Sequence, residues 1–148
     1  MRRAAAGAGS SNAPVTLLCF DYGEKRIGVA VGQTLTGTAT ALSTLAARAG
    51  APDWNALAAL LAEWDPDALV LGLPLNMDGT EQPLTARVRR FARRLSQRHP
   101  LPLYFADERL STREARGREG AAAPREGRDA LAAQVILEGW MAGARLDA

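Results

Sequence analysis

Leu17-Leu18-Cys19-Phe20-Asp21-Tyr22-Gly23-Glu24-Lys25-Arg26-Ile27-Gly28-Val29-Ala30-Val31 places two apolar runs on either side of a short polar turn. This is the pattern of a β-hairpin. Its first strand, Val15 to Phe20, is apolar on both faces and so belongs in the middle of a sheet. Asp21 stands at the mouth of that strand. A carboxylate there sits on a rigid element beside low-dielectric core, where metal ligands and catalytic acids are commonly held. Gly23 and Gly28 let the backbone turn tightly and let a phosphate or metal approach without meeting a Cβ. Asp also starts turns for purely local reasons, and Asp-x-Gly alone is a weak motif.

Working outward, Arg26 to Gln33 reads as the second strand and Gly37 to Leu45 as a third, joined as an antiparallel meander, with 46–52 as a loop. Asp53 is an N-cap for a helix to Trp64, with Trp54, Leu57, Leu60, Leu61 and Trp64 at helical spacing. Ala68 to Leu73 is a continuous apolar run and therefore a buried strand, and a strand that follows a helix implies a crossover into parallel pairing. After a loop from Pro74 to Glu81, Pro83 opens a helix to Arg98 whose inner face carries Leu84, Val88, Phe91, Ala92 and Leu95. Leu101 to Ala106 is the fifth strand and ends in Asp107-Glu108. Ser111 can cap a short helix over 112–116, and a last helix is expected from Asp129 to Met141. The order βββαβαβα predicts an α/β fold with a mixed five-stranded sheet, three antiparallel hairpin strands plus parallel strands, and helices on both faces.

The chain has 148 residues, enough for one domain with a core of its own, expected over 15–148. Residues 1–14 are rich in Ala, Gly and Ser and lack the apolar stretch of a secretory signal, so they read as a disordered tail on a cytoplasmic protein. No apolar run approaches the roughly 20 residues needed to span a membrane. The single cysteine, Cys19, cannot form an internal disulfide and reads as a small buried thiol. His99, the one histidine, lies beside a helix-terminating proline and has no second histidine with which to build a metal site.

Of the 18 basic residues every one but Lys25 is arginine. They cluster at Arg87, Arg89, Arg90, Arg93, Arg94 and Arg98, and again at Arg109, Arg113, Arg116, Arg118, Arg125 and Arg128. Paired guanidinium donors suit phosphate, which favours nucleic-acid contact, although an arginine-rich codon bias and a solvated helix face give the same clusters.

Three acidic positions stand at element ends: Asp21, Asp107-Glu108 and Asp129. Strand ends of one α/β sheet lie side by side, and a helix packed across them can deliver a third carboxylate. Such a group repels itself unless a hard cation joins it, and Mg²⁺ takes oxygen ligands of this type. Two ions about 4 Å apart clamp the attacking and leaving oxygens of a phosphodiester, with no side-chain nucleophile required. Asp129 has a local alternative as a helix N-cap. Asp107 and Glu108 alternate in direction, so at most one of them faces the site while the other pairs with an arginine; Glu108 is favoured for the site, with Asp107 as its alternative.

Four ordered segments carry a resemblance: Phe20 to Val31, Gly72 to Gln82, Asp107 to Ala115, and Gly127 to Ala133 followed by Val135-Ile136-Leu137. Together they resemble the YqgF (RuvX) family over about Leu17 to Trp140, and four motifs in order are far more specific than one. The resemblance implies an RNase H-like fold akin to the Holliday-junction resolvase RuvC, and a metal-dependent endonuclease for the 5′ end of pre-16S rRNA. Asp21, Glu108 and Asp129 would then be the catalytic, metal-binding trio for Mg²⁺ or Mn²⁺, as two ions. The Pro74 to Gln82 loop would border them, and Arg109 would position phosphate or support a carboxylate. Substrate contacts are expected from Lys25, Arg26, Asn76, Thr80, Arg109, Ser111, Thr112, Arg113 and Arg128. The chain departs from the family in carrying Ala130 where a serine often follows the last Asp, and in lacking the lysines often found before it.

The expected partner is structured RNA, pre-16S rRNA, on a ribosomal particle. Few aromatics and no RNA-binding motif are present, so shape would supply specificity. Branched DNA is the alternative substrate, the protein itself is expected as a monomer or a homodimer, and no membrane partner is expected. Two readings of other classes compete. Asp-x-Gly also resembles the phosphate loop of actin-like and sugar-kinase folds, but those need two such domains. The other is a non-catalytic RNA-binding factor acting in ribosome assembly or transcription.

Overall fold

The computed structural model describes residues 15–109 and 125–146. The tail expected at 1–14, Ser111 with the short helix at 112–116, and Thr112 and Arg113 lie outside those residues. The elements are β1 (Thr16–Asp21), β2 (Arg26–Gln33), β3 (Thr38–Arg48), β4 (Ala51–Pro52), α1 (Trp54–Trp64), β5 (Ala68–Leu73), α2 (Pro83–Arg98), β6 (Leu103–Asp107), α3 (Arg125–Met141) and β7 (Arg145–Leu146). The sheet runs β4-β3-β2-β1-β5-β6-β7. β1, β5 and β6 are parallel to their neighbours within that trio, and the remaining pairings are antiparallel.

Among the described residues the sheet therefore has seven strands rather than the five expected. The two extra strands are each two residues long and lie at the outer edges, too short to carry a hydrophobic period. β3 also continues past Leu45 to Arg48, so most of the expected 46–52 loop is a hairpin. Its two-residue turn, Ala49-Gly50, has φ of 52° and 84°. Positive φ at both central positions is the requirement of a type I′ turn, usually met by Asn-Gly, and an alanine there carries no such signal. The Tyr22 hydroxyl donates to the Gly50 carbonyl at 2.9 Å and ties this hairpin to the end of β1.

The central strand sorts its side chains by alternation. Leu18 and Phe20 enter the core beneath α1 and α2, with Leu69, Leu71 and Phe91. Leu17 and Cys19 enter the layer beneath α3, with Val70, Ile136, Leu137 and Trp140. Asp53 caps α1 by accepting from the backbone N–H groups of Asn55 and Ala56, each at 3.1 Å. At the start of α2 the buried Thr85 hydroxyl accepts from the Gln82 N–H at 3.0 Å and donates to the Pro74 carbonyl, which pins the loop after β5 to the helix.

Helix α3 begins at Arg125, four residues before the expected start, so Asp129 is a residue inside the helix and not its N-cap. It lies flat along β2. A Cβ on Gly28 would stand 1.9 Å from the Asp129 carbonyl oxygen, and one on Gly32 would stand 2.6 Å from Leu137 Cδ2. Eight helical residues advance about 12 Å and four strand residues about 13 Å, so Asp129–Leu137 and Gly28–Gly32 match in length.

Two substitutions test these packing arguments in chemical denaturation. Ala49→Asn, at an exposed position already in the left-handed region, is expected to raise stability by about 0.5–1 kcal/mol with unchanged denaturant slope. Gly28→Ala is expected to lower it by about 2–4 kcal/mol, because helix backbone has to move to admit the methyl.

Candidate active site

The carboxyl ends of parallel strands in an open α/β sheet are where ligands bind, because loops diverge there and leave a crevice. Here those ends are Asp21 on β1, Leu73 on β5 and Asp107 on β6, with Phe20 level with Leu71 and Leu73 level with Asp107. Alternation along β1 sends Asp21 to the same face as Cys19, the face covered by α3.

Glu108 follows β6 immediately and turns back over β5. A Cβ on Gly72 would fall 2.9 Å from Glu108 Cγ and 2.9 Å from Ile136 Cδ1 of α3, so Glu108 lies on the α3 face too. The buried Cys19 thiol reports both acids. Burial pushes its pKa up, and the negative charges of Asp21 and then Glu108 push it further the same way. A thiol so placed is a packing residue and no nucleophile.

Asp129 arrives from above. Its backbone rests on Gly28, which pairs directly with Asp21 across the β1–β2 hairpin. Its Oδ2 accepts from Arg26 Nε at 2.8 Å, a half-exposed ion pair that supplies positive charge to this acid. Asp107 turns the other way. Arg109 grips it with two side-chain bonds, Nε to Oδ1 at 2.9 Å and Nη2 to Oδ2 at 2.7 Å, and its own backbone N–H donates to Oδ1 at 3.1 Å. The two neighbouring acids thus diverge, Asp107 toward Arg109 and Glu108 toward Gly72.

The loop after β5 is built mostly from its own polar groups. Leu75 and Glu81 bridge its base, and the Asn76 side-chain amide donates to Thr80 Oγ1 at 2.9 Å. Asp78 Oδ1 accepts from the Thr80 hydroxyl at 2.6 Å and from its N–H at 3.0 Å, bonds that hold the Asp78 carboxyl below its ordinary range. Asn76 and Thr80, expected as substrate contacts, are therefore engaged in shaping the loop. Arg109 Nη1 donates to the Met77 carbonyl at 3.3 Å and joins this loop to the end of β6.

Lys25 is exposed in the β1–β2 turn and Arg128 is exposed on α3 beside Asp129. Arg26, expected as a substrate contact, pairs with Asp129. Sequence reasoning had no signal for that pairing, since the partners lie 103 residues apart.

A set of oxygen donors carried by Asp21, Glu108 and Asp129 fits a hard divalent cation in its chemistry. As placed, no three acids among the described residues are close enough together to share one ion.

Comparison with known proteins bears on what the site does. The family described as "RuvX: Holliday junction resolvase" matches residues 15–143. A protein of Pectobacterium atrosepticum named "Putative pre-16S rRNA nuclease" is 56% identical over 130 residues, covering 84% of this chain and 94% of the relative. Relatives with the same name from Azotobacter vinelandii and Pseudomonas aeruginosa are 53% and 50% identical over 134 and 139 residues. They cover 87% and 90% of this chain, and 94% and 96% of the relatives. Among solved structures, T. thermophilus RuvC in complex with Holliday junction substrate aligns with TM-score 0.56 over 88% of this chain and 98% of that one. At 15% identity this likeness shows the fold alone.

The Asp107–Arg109 pair makes a pH-dependent prediction. Hydrogen bonds from the Arg109 guanidinium hold the Asp107 carboxyl below its usual range. A depressed carboxylate stabilises the fold above the unfolded value of about 3.9, and that contribution is lost as pH falls through the lower folded value. Asp107→Asn is expected to be less stable than wild type at pH 7, with the difference closing in thermal melts as pH is lowered below about 4.

Proposed function

The chain belongs to the RuvX family, and on that premise we propose that it is a nuclease that hydrolyses phosphodiester bonds in pre-16S rRNA, at the 5′ end of the mature sequence. The observation that supports this reading is that Asp21 at the end of β1, Glu108 after β6 and Asp129 on α3 belong to the same face of the sheet. Hydrolysis at such a site needs no side-chain nucleophile.

In this reading Asp21, Glu108 and Asp129 would hold divalent cations, Mg²⁺ or Mn²⁺, which supply an activated water and neutralise charge on the phosphate. The chain's own part is to place carboxylates on rigid elements. Arg26 holds Asp129 in position and lowers the local negative charge. Arg109 fixes Asp107 and the loop after β5, which walls the site on one side. On the solvent side of α2, the exposed Arg90, Arg93 and Arg94 offer guanidinium groups to an RNA backbone. Burial, and then the Glu24 carboxylate, push the phenol pKa of Tyr22, the residue after Asp21, above its ordinary value, against smaller downward effects of Arg87, Arg90 and Arg94.

Branched DNA is the second substrate to test, because the matching family carries the description of a Holliday junction resolvase. Purified protein with Mg²⁺, Mn²⁺ or EDTA should be offered a pre-16S leader RNA, free and ribosome-bound, and a four-way DNA junction. Metal-dependent cutting of the RNA is expected, and Asp21→Asn or Asp129→Asn should slow it by about 100-fold or more. Cutting of the junction alone would move the activity to DNA. Absence of cutting on every substrate, with RNA binding intact in both variants, would overturn catalysis in favour of a binding role.

A further inference from the structure

Three large apolar side chains are exposed among the described residues: Leu35 at 78%, Met77 at 66% and Tyr104 at 45%. Tyr104 packs on Trp140, with ring centroids 5.4 Å apart. Leu35 lies in the β2–β3 connection, at the end of the sheet away from Asp21. Met77 is the one at the carboxyl end of the parallel strands, in the loop that follows β5.

An exposed methionine on a mobile loop would mean little. This loop is tied along its whole length. Its base is the Leu75–Glu81 bridge, and Glu81 is held to α2 by Arg89 at 2.9 Å. Asn76 N–H donates to the Thr80 carbonyl at 2.9 Å, and Gly79 N–H to the Asn76 carbonyl at 2.8 Å. The Asn76–Thr80 and Thr80–Asp78 side-chain bonds fill the turn, and Arg109 holds the Met77 carbonyl. Arg109 is the residue after Glu108. The tip is thus fixed at a set position relative to a candidate catalytic acid, with Met77 directed to solvent.

Resting on the nuclease reading, we propose that Met77 is an apolar wedge that packs against a nucleobase of the RNA where a paired segment ends, and so selects which phosphate reaches the acids. Single-stranded and terminal bases are the parts of RNA that can be splayed out and stacked on side chains. Apolar wedges, methionine among them, enter base steps in other nucleic-acid complexes. A thioether is polarizable and packs favourably on aromatic rings.

The test uses the full chain and an RNA hairpin with a single-stranded 5′ extension, carrying 2-aminopurine at the junction of paired and unpaired segments. Binding is followed without divalent cation. Wild type is expected to raise the fluorescence as the base unstacks. Met77→Ala should abolish the rise and weaken binding by about 5- to 10-fold, while Met77→Phe restores both. No fluorescence change with wild type, or an equal change with Met77→Ala, would overturn the wedge. Cleavage of the same RNA with Mn²⁺, with Asp21→Asn alongside, separates the two proposals. Cutting lost in Asp21→Asn but unshifted in Met77→Ala would overturn the wedge and leave the nuclease standing. A fluorescence rise that depends on Met77, with no cutting by wild type, would sustain base contact and overturn the nuclease.

Discussion

Helix α3 can lie against β2 only because Gly28 has no side chain. The Asp129 carbonyl occupies the space a Cβ would fill, and no rotamer change relieves a clash with helix backbone. This contact sets where Asp129 enters the site. Gly28 is also the cross-strand partner of Asp21, so one absent methyl lets the backbone of Asp129 rest on the strand position beside Asp21. The match of helix rise and strand rise from Asp129–Leu137 to Gly28–Gly32 carries that registration along the whole contact.

Concentrated negative charge at one end of a sheet is costly unless it is balanced, and the protein balances it locally with arginine. Arg109 takes Asp107 through parallel bonds, and Arg26 takes Asp129 through one. Planar, permanently charged guanidinium groups suit both tasks better than lysine would. The same residues do more than balance charge. Arg109 also fastens the loop after β5, so the carboxylate at the end of β6, the loop and its exposed methionine form one rigid unit. Glu108 sits in the middle of this unit, between Asp107 and Arg109, yet its side chain departs toward the α3 face.

Much of this was legible in the sequence where a hydrophobic period or a cap was long enough to read. β2, β5, α1 and α2 have the bounds their patterns predict, since each has either a continuous apolar run or a cap with a spaced inner face. The two edge strands were not legible, because two residues hold no period and Ala49-Gly50 disguises its turn. The start of α3 was missed because Gly127 and its arginine-rich surroundings look like loop, and Asp129 looks like a cap. The acids themselves were readable from their places at element ends. Their partners were not: Arg26 with Asp129 and Arg109 with Met77 are tertiary contacts that spacing cannot encode. Asn76 and Thr80 were recognisable as polar residues beside the site, but their use in bracing the loop depends on side-chain geometry.

Asp21, Glu108 and Asp129 are proposed to act together on a divalent cation. Titration of Mn²⁺, followed by loss of the free-ion electron paramagnetic resonance signal, tests it without need of a substrate. Wild type is expected to bind, and Asp21→Asn, Glu108→Gln and Asp129→Asn should each weaken binding by about 10-fold or more. Asp107→Asn should weaken it far less. Equal binding by wild type and all three variants, or a loss confined to Asp107→Asn, would contradict the account.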